Sequence, residues 1–306
     1  MMYPVKRRKQ VNKGMILRIC CLALALLTVV LAVTQTLTAR HEAKVIQTLN
    51  IRINELEAEN TKLGELVPDI TLDMEGAPAY QSLYPEMIVD PKPVFADQPG
   101  QTAYLTFDDG PSANTYTILD ALKASGQKAT FFIVAKNIPG HEDALKRMAE
   151  EGHTVAIHTY SHDYRGIYAS VEAYLEDFHQ AYTAIHDACG VSPTIFRFPG
   201  GSVNAYNHQI YQELIAEMLR RGFIYYDWSV SSEDATGKNY SPEQLTQFVM
   251  EGTAKAAKPI ILMHDSGEKK NTAAAVPEMV RQLTAAGYTC APLTGEVRPI
   301  FFGYQS

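Results

Sequence analysis

From residue 101 onward, short apolar segments alternate with longer amphipathic segments, and this alternation constrains the fold more than any other feature of the chain. Seven segments have the length of buried strands, and six stretches with helical periodicity separate them. Strands that alternate with helices predict a parallel sheet, and hence an α/β fold. The predicted strands are Ala103–Phe107, Ala129–Val134, Thr154–Ile157, Thr194–Arg197, Ile224–Trp228, Ile260–Met263 and Thr289–Pro292, and the predicted helices are Thr115–Ser125, Glu142–Glu151, Val171–Ala188, Gln209–Arg221, Pro242–Ala256 and Ala273–Ala286.

Acidic, basic and imidazole side chains are concentrated just beyond the carboxyl ends of the predicted strands. In parallel α/β folds the active residues lie on the loops at that end of the sheet, so residues from separate loops are expected to converge on one mouth. Five predicted strands contribute to this set: Asp108 and Asp109 follow the first, His158 and His162 the third, Arg197 closes the fourth, Asp234 lies beyond the fifth, and His264 follows the sixth.

The segment His158-Thr159-Tyr160-Ser161-His162 spaces two imidazoles like metal ligands, and the acid pair Asp108-Asp109 precedes it. Neutral imidazole nitrogens suit Zn²⁺, and a carboxylate oxygen can take a third position. Three protein ligands leave a position open for water, which is typical of a catalytic site. Each piece alone has a plainer interpretation, because the acid pair also fits a solvated turn and the histidines also fit surface or core positions.

Four segments resemble the motifs of one known family in content, order and spacing. They are Thr106-Phe107-Asp108-Asp109-Gly110-Pro111, the segment from His158 to His162, Arg197-Phe198-Pro199-Gly200-Gly201, and Leu262-Met263-His264-Asp265. Together they are similar to the polysaccharide deacetylase family, also called the NodB-homology domain or carbohydrate esterase family 4. The resemblance covers about residues 101–295 and implies a distorted (β/α) barrel with about seven parallel strands.

The resemblance also implies a metal centre and a base. Asp109, His158 and His162 are expected to hold one divalent cation, for which Zn²⁺ is the first expectation and Co²⁺, Ni²⁺ and Mn²⁺ are alternatives. Asp108 is expected to act as the general base, since a bound metal lowers the pKa of its water and a nearby carboxylate can then take the proton. Arg197 resembles the family arginine that pairs with the base; an ordinary surface salt bridge is the alternative.

His264 is the expected general acid that protonates the leaving amine, because an unperturbed imidazole titrates near neutrality. Asp234 is expected to orient His264, with Asp227 as a competitor for that role. Family members often carry Trp after this Asp, whereas this chain has Ala235, so the shape of the acetyl pocket departs from the usual one. The expected substrate-binding residues are Pro199, Gly200, Gly201, Trp228 and Leu262.

Two of these substrate-binding residues, Gly200 and Trp228, have more specific expected roles. The Gly200 backbone N–H is the expected second donor to the oxyanion, although many family members have a larger residue there. Trp228, the sole tryptophan, has three possible interpretations: it can wall the acetyl pocket, stack on a sugar, or pack in the core.

His153 is expected to be a structural histidine at a turn. Cys189 and Cys290 either pair or remain two small buried thiols.

The N-terminal region predicts a membrane anchor. Residues 1–14 form a basic tail, and residues 15–36 are apolar enough to cross a bilayer, so the following chain should face outward. A cleaved signal peptide is the alternative. Residues 40–67 carry a short heptad pattern that fits either a parallel dimeric stalk or a single helix. The proline-rich residues 68–100 are expected to be a linker, and residues 296–306 a tail.

Charge and location shape the functional expectation. The residues after position 40 hold 20 basic against 34 acidic side chains, a net charge of −14, which argues against a nucleic-acid partner. An anchored, outward-facing enzyme of this family is expected to hydrolyse acetamide groups of N-acetylglucosamine, with peptidoglycan as the polymer within reach. Chitin-type or other exopolysaccharides and acetyl xylan are alternatives, as is a non-catalytic carbohydrate-binding domain.

Overall fold

The computed structural model describes residues 76–89, 95 and 101–302. The predicted tail, residues 1–14, the anchor, residues 15–36, and the stalk, residues 40–67, lie outside the described residues. Within the described ranges, none of the helices combines the length and hydropathy needed to cross a bilayer.

The centre of the fold is a curled sheet in which every strand pairing is parallel. The strands are β1 (Thr102–Asp108), β2 (Thr130–Val134), β3 (Thr154–Thr159), β4 (Ile195–Phe196), β5 (Ile224–Tyr225), β6 (Val230–Ser231), β7 (Ile260–His264) and β8 (Thr289–Cys290). Their order in the sheet is β5-β4-β3-β2-β1-β7-β6, and β8 pairs with the beginning of β1. No pairing among the described residues joins β5 to β6, so the barrel is incomplete. The α/β class and the parallel sheet are therefore confirmed.

All seven predicted strands are present, but β6 was not predicted. It has two residues and pairs only with β7, through Val230 and Ser231. A strand of that length is too short to show an alternating hydrophobic pattern.

Helices cover one face of the sheet. Six lie where the helical periodicity predicts them, and a seventh, four-residue helix begins two residues after His162. The first helix begins two residues earlier than predicted because the Ser112 side chain accepts a hydrogen bond from the Asn114 N–H and caps it. The helices are α1 (Ala113–Ser125), α2 (Glu142–Glu150), α3 (Tyr164–Ile167), α4 (Val171–Cys189), α5 (Tyr211–Arg220), α6 (Pro242–Thr253) and α7 (Lys270–Ala285).

The alternation of side chains along each strand creates two cores. In β1, Leu105 and Phe107 belong to the large core between the sheet and the helices, and each fully buried side chain of this kind contributes about 1.5–3 kcal/mol. Tyr104 points to the opposite face, where it joins a smaller core that contains no helix residue and includes Phe132 and Ile260. This second face is the inside of the curled sheet.

Part of the predicted linker, residues 68–100, packs against this domain. The buried Arg221 guanidinium donates hydrogen bonds to the backbone carbonyls of Leu83 at 2.7 Å and Tyr84 at 2.9 Å. The Val89 N–H donates to the Arg221 carbonyl at 2.8 Å, and Met87 is fully buried. These contacts fix residues 79–89 against the C-terminal end of α5.

Part of the predicted tail, residues 296–306, is also packed. Val297 joins the inner core, and the Phe302 N–H donates to the Asp227 carboxylate at 2.7 Å. The Phe302 ring lies edge-on to Trp228, with 4.6 Å between ring centroids. The C-terminal residues therefore support the wall on which Trp228 lies.

Candidate active site

The inner face of the sheet carries the predicted site residues because each follows an inner-core residue by an even number of positions. Asp108 is four positions beyond Tyr104 in β1, and His264 is four positions beyond Ile260 in β7. Asp108 and His264 are also register partners at the ends of these neighbouring strands. His158 follows Ala156, and Arg197 follows Ile195, by the same rule. Strand periodicity thus places all four side chains at one mouth.

Asp109, His158 and His162 form a compact group of potential metal ligands. One ligand atom from each residue lies within 4.8 Å of the others. Asp109 Oδ1 is 3.2 Å from His162 Nε2 and 3.6 Å from His158 Nε2. The structure brings together the three residues that the sequence predicts as a metal triad.

The protonation pattern of this triad fits a cation. The carbonyl of Arg197 can only accept a hydrogen bond, so His158 Nδ1, at 2.7 Å, carries the proton and Nε2 presents its lone pair to the triad. Burial lowers the pKa of His158 to about 3, which keeps the imidazole in the neutral form that binds metals. Asp109 Oδ1 is buried and accepts no hydrogen bond from the described residues. A divalent cation would be a partner for both His158 Nε2 and Asp109 Oδ1.

Two of the three potential ligands have unusual backbone conformations. Asp109 has φ of 74° and His162 has φ of 55°, in the left-handed region that few residues other than glycine adopt. The Asn137 side chain donates a hydrogen bond to the Asp109 carbonyl at 3.0 Å and so helps to hold Asp109 in this conformation. Strain of this kind is found where a side chain must be aimed at a functional centre.

Asp108 lies beside the triad and is paired with a buried arginine. Arg197 Nη1 donates to Asp108 Oδ1 at 2.9 Å and to the Thr106 hydroxyl at 2.7 Å, and Arg197 Nε donates to the Tyr226 carbonyl at 2.8 Å. The guanidinium also lies 4.2 Å from the centroid of the Phe132 ring. The arginine is fully buried, so the alternative of an ordinary surface salt bridge is wrong.

Burial raises the pKa of Asp108, and the positive charge of Arg197 opposes only part of that effect. A raised pKa makes a carboxylate a stronger base. Asp108 is held in one orientation by Arg197, and its Oδ2 lies 4.0 Å from His158 Nε2. Its position outside the triad leaves it free to accept a proton.

His264 lies across the pocket from the triad and is held by Asp234. The ring Nδ1 donates to Asp234 Oδ1 at 2.8 Å, and the backbone N–H of His264 donates to Asp234 Oδ2 at 2.9 Å. Burial alone would lower the pKa of His264, but the hydrogen bond and charge of Asp234, together with the charges of Asp108 and Asp109, raise it to about 9. The imidazole is therefore protonated at neutral pH and can donate a proton through Nε2.

Asp227, the competing candidate for this role, serves elsewhere. Its carboxylate accepts hydrogen bonds from the Ser202 N–H at 2.9 Å, the Ser202 hydroxyl at 2.5 Å and the Phe302 N–H at 2.7 Å. These bonds tie the loop after β4 to the C-terminal residues. The suggestion that Asp227 orients His264 is wrong, because the ring Nδ1 of His264 donates its hydrogen bond to Asp234.

A pocket of about 350 Å³ joins these groups. Of the predicted substrate-binding residues, Gly200, Trp228 and Leu262 line it. Pro199 and Gly201 do not: the Pro199 carbonyl accepts a hydrogen bond from the Tyr168 hydroxyl at 2.8 Å, and Gly201 has its N–H bonded to the Phe198 carbonyl at 2.9 Å. These two residues shape the loop that carries Gly200. The pocket is also lined by Ala235, where the sequence predicts an altered acetyl pocket, and by Tyr164 and Lys269, which were not among the predicted site residues. Its remaining lining residues are Asp108, Asp109, His158, His162 and His264.

Comparison with known proteins gives the same assignment as this geometry. The family model described as polysaccharide deacetylase matches residues 96–219. The chain is 33% identical over 192 residues to a peptidoglycan-N-acetylglucosamine deacetylase of Bacillus cereus, an alignment that covers 61% of this chain and 67% of that protein. The chain belongs to the polysaccharide deacetylase family. The expectation of a hydrolase that acts on amide bonds is thereby confirmed.

Further relatives of this deacetylase family agree. The Bacillus subtilis protein YheN, provisionally named a polysaccharide deacetylase, is 32% identical over 203 residues, which are 65% of this chain and 70% of YheN. A crystal structure of the catalytic domain of peptidoglycan N-acetylglucosamine deacetylase from Eubacterium rectale superposes with a TM-score of 0.67 and 35% identity. That match covers 71% of this chain and all of the other.

Gly200 lies where the deacetylase requires both an unusual backbone and little bulk. Its φ is +76°, and a Cβ placed on it would lie 2.9 Å from Tyr164 Cε1. Its N–H has no acceptor among the described residues, whereas that of Gly201 is already bonded. Gly200 therefore presents a free donor at the wall of the pocket.

Asp265 is a site-shaping residue of the deacetylase whose role sequence reasoning missed. It is buried, its N–H donates to the Asp108 carbonyl at 3.0 Å, and its carboxylate accepts a hydrogen bond from the Thr115 hydroxyl. A Cβ on Gly110 would lie 2.2 Å from Asp265 Oδ2, so the turn after Asp109 can approach this carboxylate only with glycine there. Asp265 stands in a segment that carries the family resemblance, directly after His264, and this was the available signal.

Asp177 of α4 is a second missed residue. Its carboxylate accepts hydrogen bonds from the N–H groups of Tyr160 at 2.6 Å and Ser161 at 3.0 Å, and from the Thr159 hydroxyl. It thereby fixes the loop between His158 and His162. The only sequence signal was an acidic residue at the edge of the apolar stripe of an amphipathic helix.

His153 and the two cysteines lie outside the pocket. His153 is buried, its Nδ1 accepts a hydrogen bond from the Ala129 N–H at 3.1 Å, and burial lowers its pKa to about 4. It is a structural histidine, as the sequence predicts. Cys189 and Cys290 are both free thiols, so the pairing alternative is wrong for this structure.

Proposed function

We propose that this chain removes acetyl groups from N-acetylglucosamine residues of peptidoglycan, with a divalent cation held by Asp109, His158 and His162. The observation that carries the proposal is the arrangement of one pocket: three potential metal ligands, a carboxylate outside that ligand set and an imidazole bonded to Asp234 all line it. The relatives named for peptidoglycan deacetylation support the choice of polymer.

The protein residues divide the work of amide hydrolysis. A divalent cation bound to the triad would act as a Lewis acid toward water and the acetamide carbonyl. Asp108 accepts a proton from the attacking water, because Arg197 keeps its carboxylate ionised and oriented. The Gly200 N–H donates to the carbonyl oxygen as negative charge develops on it. His264 then gives its proton to the departing amine, so that acetate and a free amino sugar leave.

Trp228 and Leu262 provide the apolar part of the site. Both line the pocket, and Trp228 is fixed by its edge-on contact with Phe302. Ala235 stands where many family members have a second aromatic residue, and it also lines the pocket. We therefore expect a wider acetyl-binding region than the usual family pattern gives, with the same reaction.

The cellular arrangement is part of the proposal. The apolar residues 15–36, preceded by basic residues, would anchor the chain in the membrane with the deacetylase domain on the outer side. Residues 40–67 would hold the domain away from the bilayer, as a single helix or as a parallel dimer. Peptidoglycan is the acetylated polymer within reach of an enzyme held in this way.

The test is to incubate the purified full-length chain with peptidoglycan, chitin oligosaccharides and acetyl xylan, and to measure released acetate and new free amines. We expect acetate and amines in equal amounts, with peptidoglycan as the best substrate. Chelation should abolish release, and added Zn²⁺ should restore it. A chain that binds these glycans but releases no acetate from any of them with Zn²⁺, Co²⁺, Ni²⁺ or Mn²⁺ would be the non-catalytic carbohydrate-binding alternative.

A further inference from the structure

A second pocket adjoins the active-site pocket. Its volume is about 360 Å³, and two residues, Asp234 and Lys269, relate it to the catalytic groups. Lys269 lines both pockets, and its Nζ donates to the Asp234 carbonyl at 2.7 Å. The residues around the second pocket come from the loop after β6, from Leu245 of α6, and from residues 268–272, where α7 begins. A polymer bound across the active site would therefore have a place for a neighbouring group.

This second pocket carries a local concentration of positive charge. Three lysines line it, Lys238, Lys269 and Lys270, and we call it the lysine pocket. Glu268 is the one carboxylate of its lining that is not already held, because Asp234 is bonded to His264 and Thr272. In a chain whose residues after position 40 have a net charge of −14, such a cluster is a departure from the surrounding charge.

The lysines of this pocket have ammonium groups available for a ligand. Among the described residues, neither Lys238 nor Lys270 forms an ion pair, and both are exposed. The Lys238 ammonium lies 5.8 Å from the centroid of the Tyr240 ring, which also lines the pocket. Lys270 is the first residue of α7, where the helix dipole disfavours a cation and favours an anion. An anionic group would relieve the repulsion among these charges.

We infer that the lysine pocket binds a carboxylate of the substrate polymer, next to the sugar from which the acetyl group is removed. This inference rests on the proposed function and adds the charge of the substrate to it. In peptidoglycan every second sugar bears a lactyl group, which ends in a carboxylate or in the stem peptide attached to it. Chitin has no such group. A lysine ammonium with three donors can bind a carboxylate without strict geometry.

The consequence is a preference for anionic over neutral glycans. The lysine pocket contributes binding to a part of the polymer that does not react, so it should act mainly on KM. Its effect should weaken with added salt, because the two outer lysines are exposed and their charges are screened. Lys269 is left out of the test, since it contacts the residue that holds His264.

The experiment compares matched glycan strands. One sample is peptidoglycan glycan strands freed of peptides, so that the lactyl carboxylates are exposed; the other is the same strands with these carboxylates converted to methylamides. The full-length chain is tested with Lys238→Gln, Lys270→Gln and both together. Lys255→Gln, at an exposed lysine beside a different pocket, is the matched control.

We expect the double variant to lower kcat/KM on the carboxylate strands by about five- to tenfold, since an exposed charge contact changes binding only a few-fold. On the methylamide strands the double variant and the unmodified chain should agree within about twofold. Lys255→Gln should change neither. Peptide-bearing strands form a third arm: a lysine-dependent preference seen only there assigns the carboxylate to the stem peptide rather than to the lactyl group.

Equal loss on the carboxylate and methylamide strands, or no loss on any of the three kinds of strand, would overturn the inference. Failure of the proposed function looks different, because the unmodified chain would then release no acetate from any strand. Binding of both strands to the full-length chain, measured by isothermal titration calorimetry, gives the same comparison without turnover. A preference for carboxylate strands that the double variant lacks supports the inference by either measurement, and equal affinities contradict it.

Discussion

The carboxylate of Asp234 accepts two hydrogen bonds from His264, one from the ring Nδ1 at 2.8 Å and one from the backbone N–H at 2.9 Å. The Thr272 hydroxyl donates a third, also at 2.9 Å. Burial alone would raise the pKa of Asp234, but these bonds and the charge of His264 together lower it by more. The pKa of Asp234 is therefore below its ordinary value, and the carboxylate stays ionised. The pair is thus a cation held by an anion, with the ring fixed in direction.

Replacing Asp234 with Asn should shift the alkaline limb of the pH–activity profile to lower pH. The general acid is lost as pH rises through the pKa of His264, which Asp234 helps to raise to about 9. Asn keeps the shape but removes the charge, while burial continues to lower the pKa, so less imidazolium remains at pH 8. We expect kcat at pH 8 to fall about ten- to hundredfold. The measurement is acetate release from pH 5 to 10.

Asp187→Asn is the matched control for this prediction, because Asp187 is exposed on α4, away from the pocket. Its profile should superimpose on that of the unmodified chain. A chain with Asp234→Asn whose alkaline limb does not move would show that another group is the acid.

The two adjacent aspartates should separate metal binding from proton transfer. Asp109 Oδ1 points at both imidazoles of the triad, whereas Asp108 is bonded to Arg197. Asp109→Ala should therefore lose bound metal and activity together. Asp108→Asn should retain metal and lower kcat about a hundredfold or more, because the base is gone. Metal content by elemental analysis and acetate release, measured on the same samples, check this.

Full activity in Asp108→Asn would show that the base is another residue. Retained metal in Asp109→Ala would remove this carboxylate from the ligand set. His153→Gln serves as a control histidine substitution. His153 is buried outside the pocket, where its Nδ1 accepts a hydrogen bond from the Ala129 N–H. Its replacement should therefore affect stability without affecting metal content.

The sequence predicted those site residues that can be recognised by their residue type and by their position at the end of a strand. Asp108, His158, Arg197 and His264 could be found in this way, because strand periodicity places them on one face. Asp265 could not be given a role, since its partner Thr115 lies 150 positions away in the sequence. Contacts of that range leave no periodic signal in a single sequence.

The loops show the same limit. The sequence placed Pro199 and Gly201 in the pocket with Gly200, but a turn decides which of three neighbouring residues faces inward. The lining by Lys269 was missed because a lysine between a strand and a helix usually lies in solvent. The anchor and the stalk, residues 15–36 and 40–67, lie outside the described residues and stay predictions.

Replacing Arg197 with Met should destabilise the fold strongly. The guanidinium is fully buried and donates to Asp108, Thr106 and the Tyr226 carbonyl. Its removal takes a donor away from each of these acceptors and leaves Asp108 as an uncompensated buried charge. We expect the free energy of unfolding to fall by about 3–5 kcal/mol. Chemical denaturation followed by circular dichroism measures it.

Arg281→Met is the matched control, because Arg281 is exposed and its bonds to Glu278 lie at the surface. That substitution should change the free energy of unfolding far less than Arg197→Met does, because a solvent-exposed ion pair contributes little to stability. Similar losses for Arg197→Met and Arg281→Met would mean that the buried ion pair contributes nothing to stability.

Replacing Gly200 with Ala should impair turnover more than stability. The residue has φ of +76°, and the new Cβ would lie 2.9 Å from Tyr164 Cε1, so the loop must shift and move the free N–H.

Gly126→Ala is the matched control: Gly126 has φ of +69° at the end of α1, with no atom within 4 Å of its added Cβ. Both variants should lose about 1 kcal/mol of stability from the backbone conformation alone. Only Gly200→Ala should lower kcat, by about ten- to a hundredfold, since a displaced oxyanion donor weakens stabilisation of the transition state. Thermal unfolding and acetate release, measured on both variants, separate the two effects, and an unchanged kcat in Gly200→Ala would show that this N–H does not contact the reacting carbonyl.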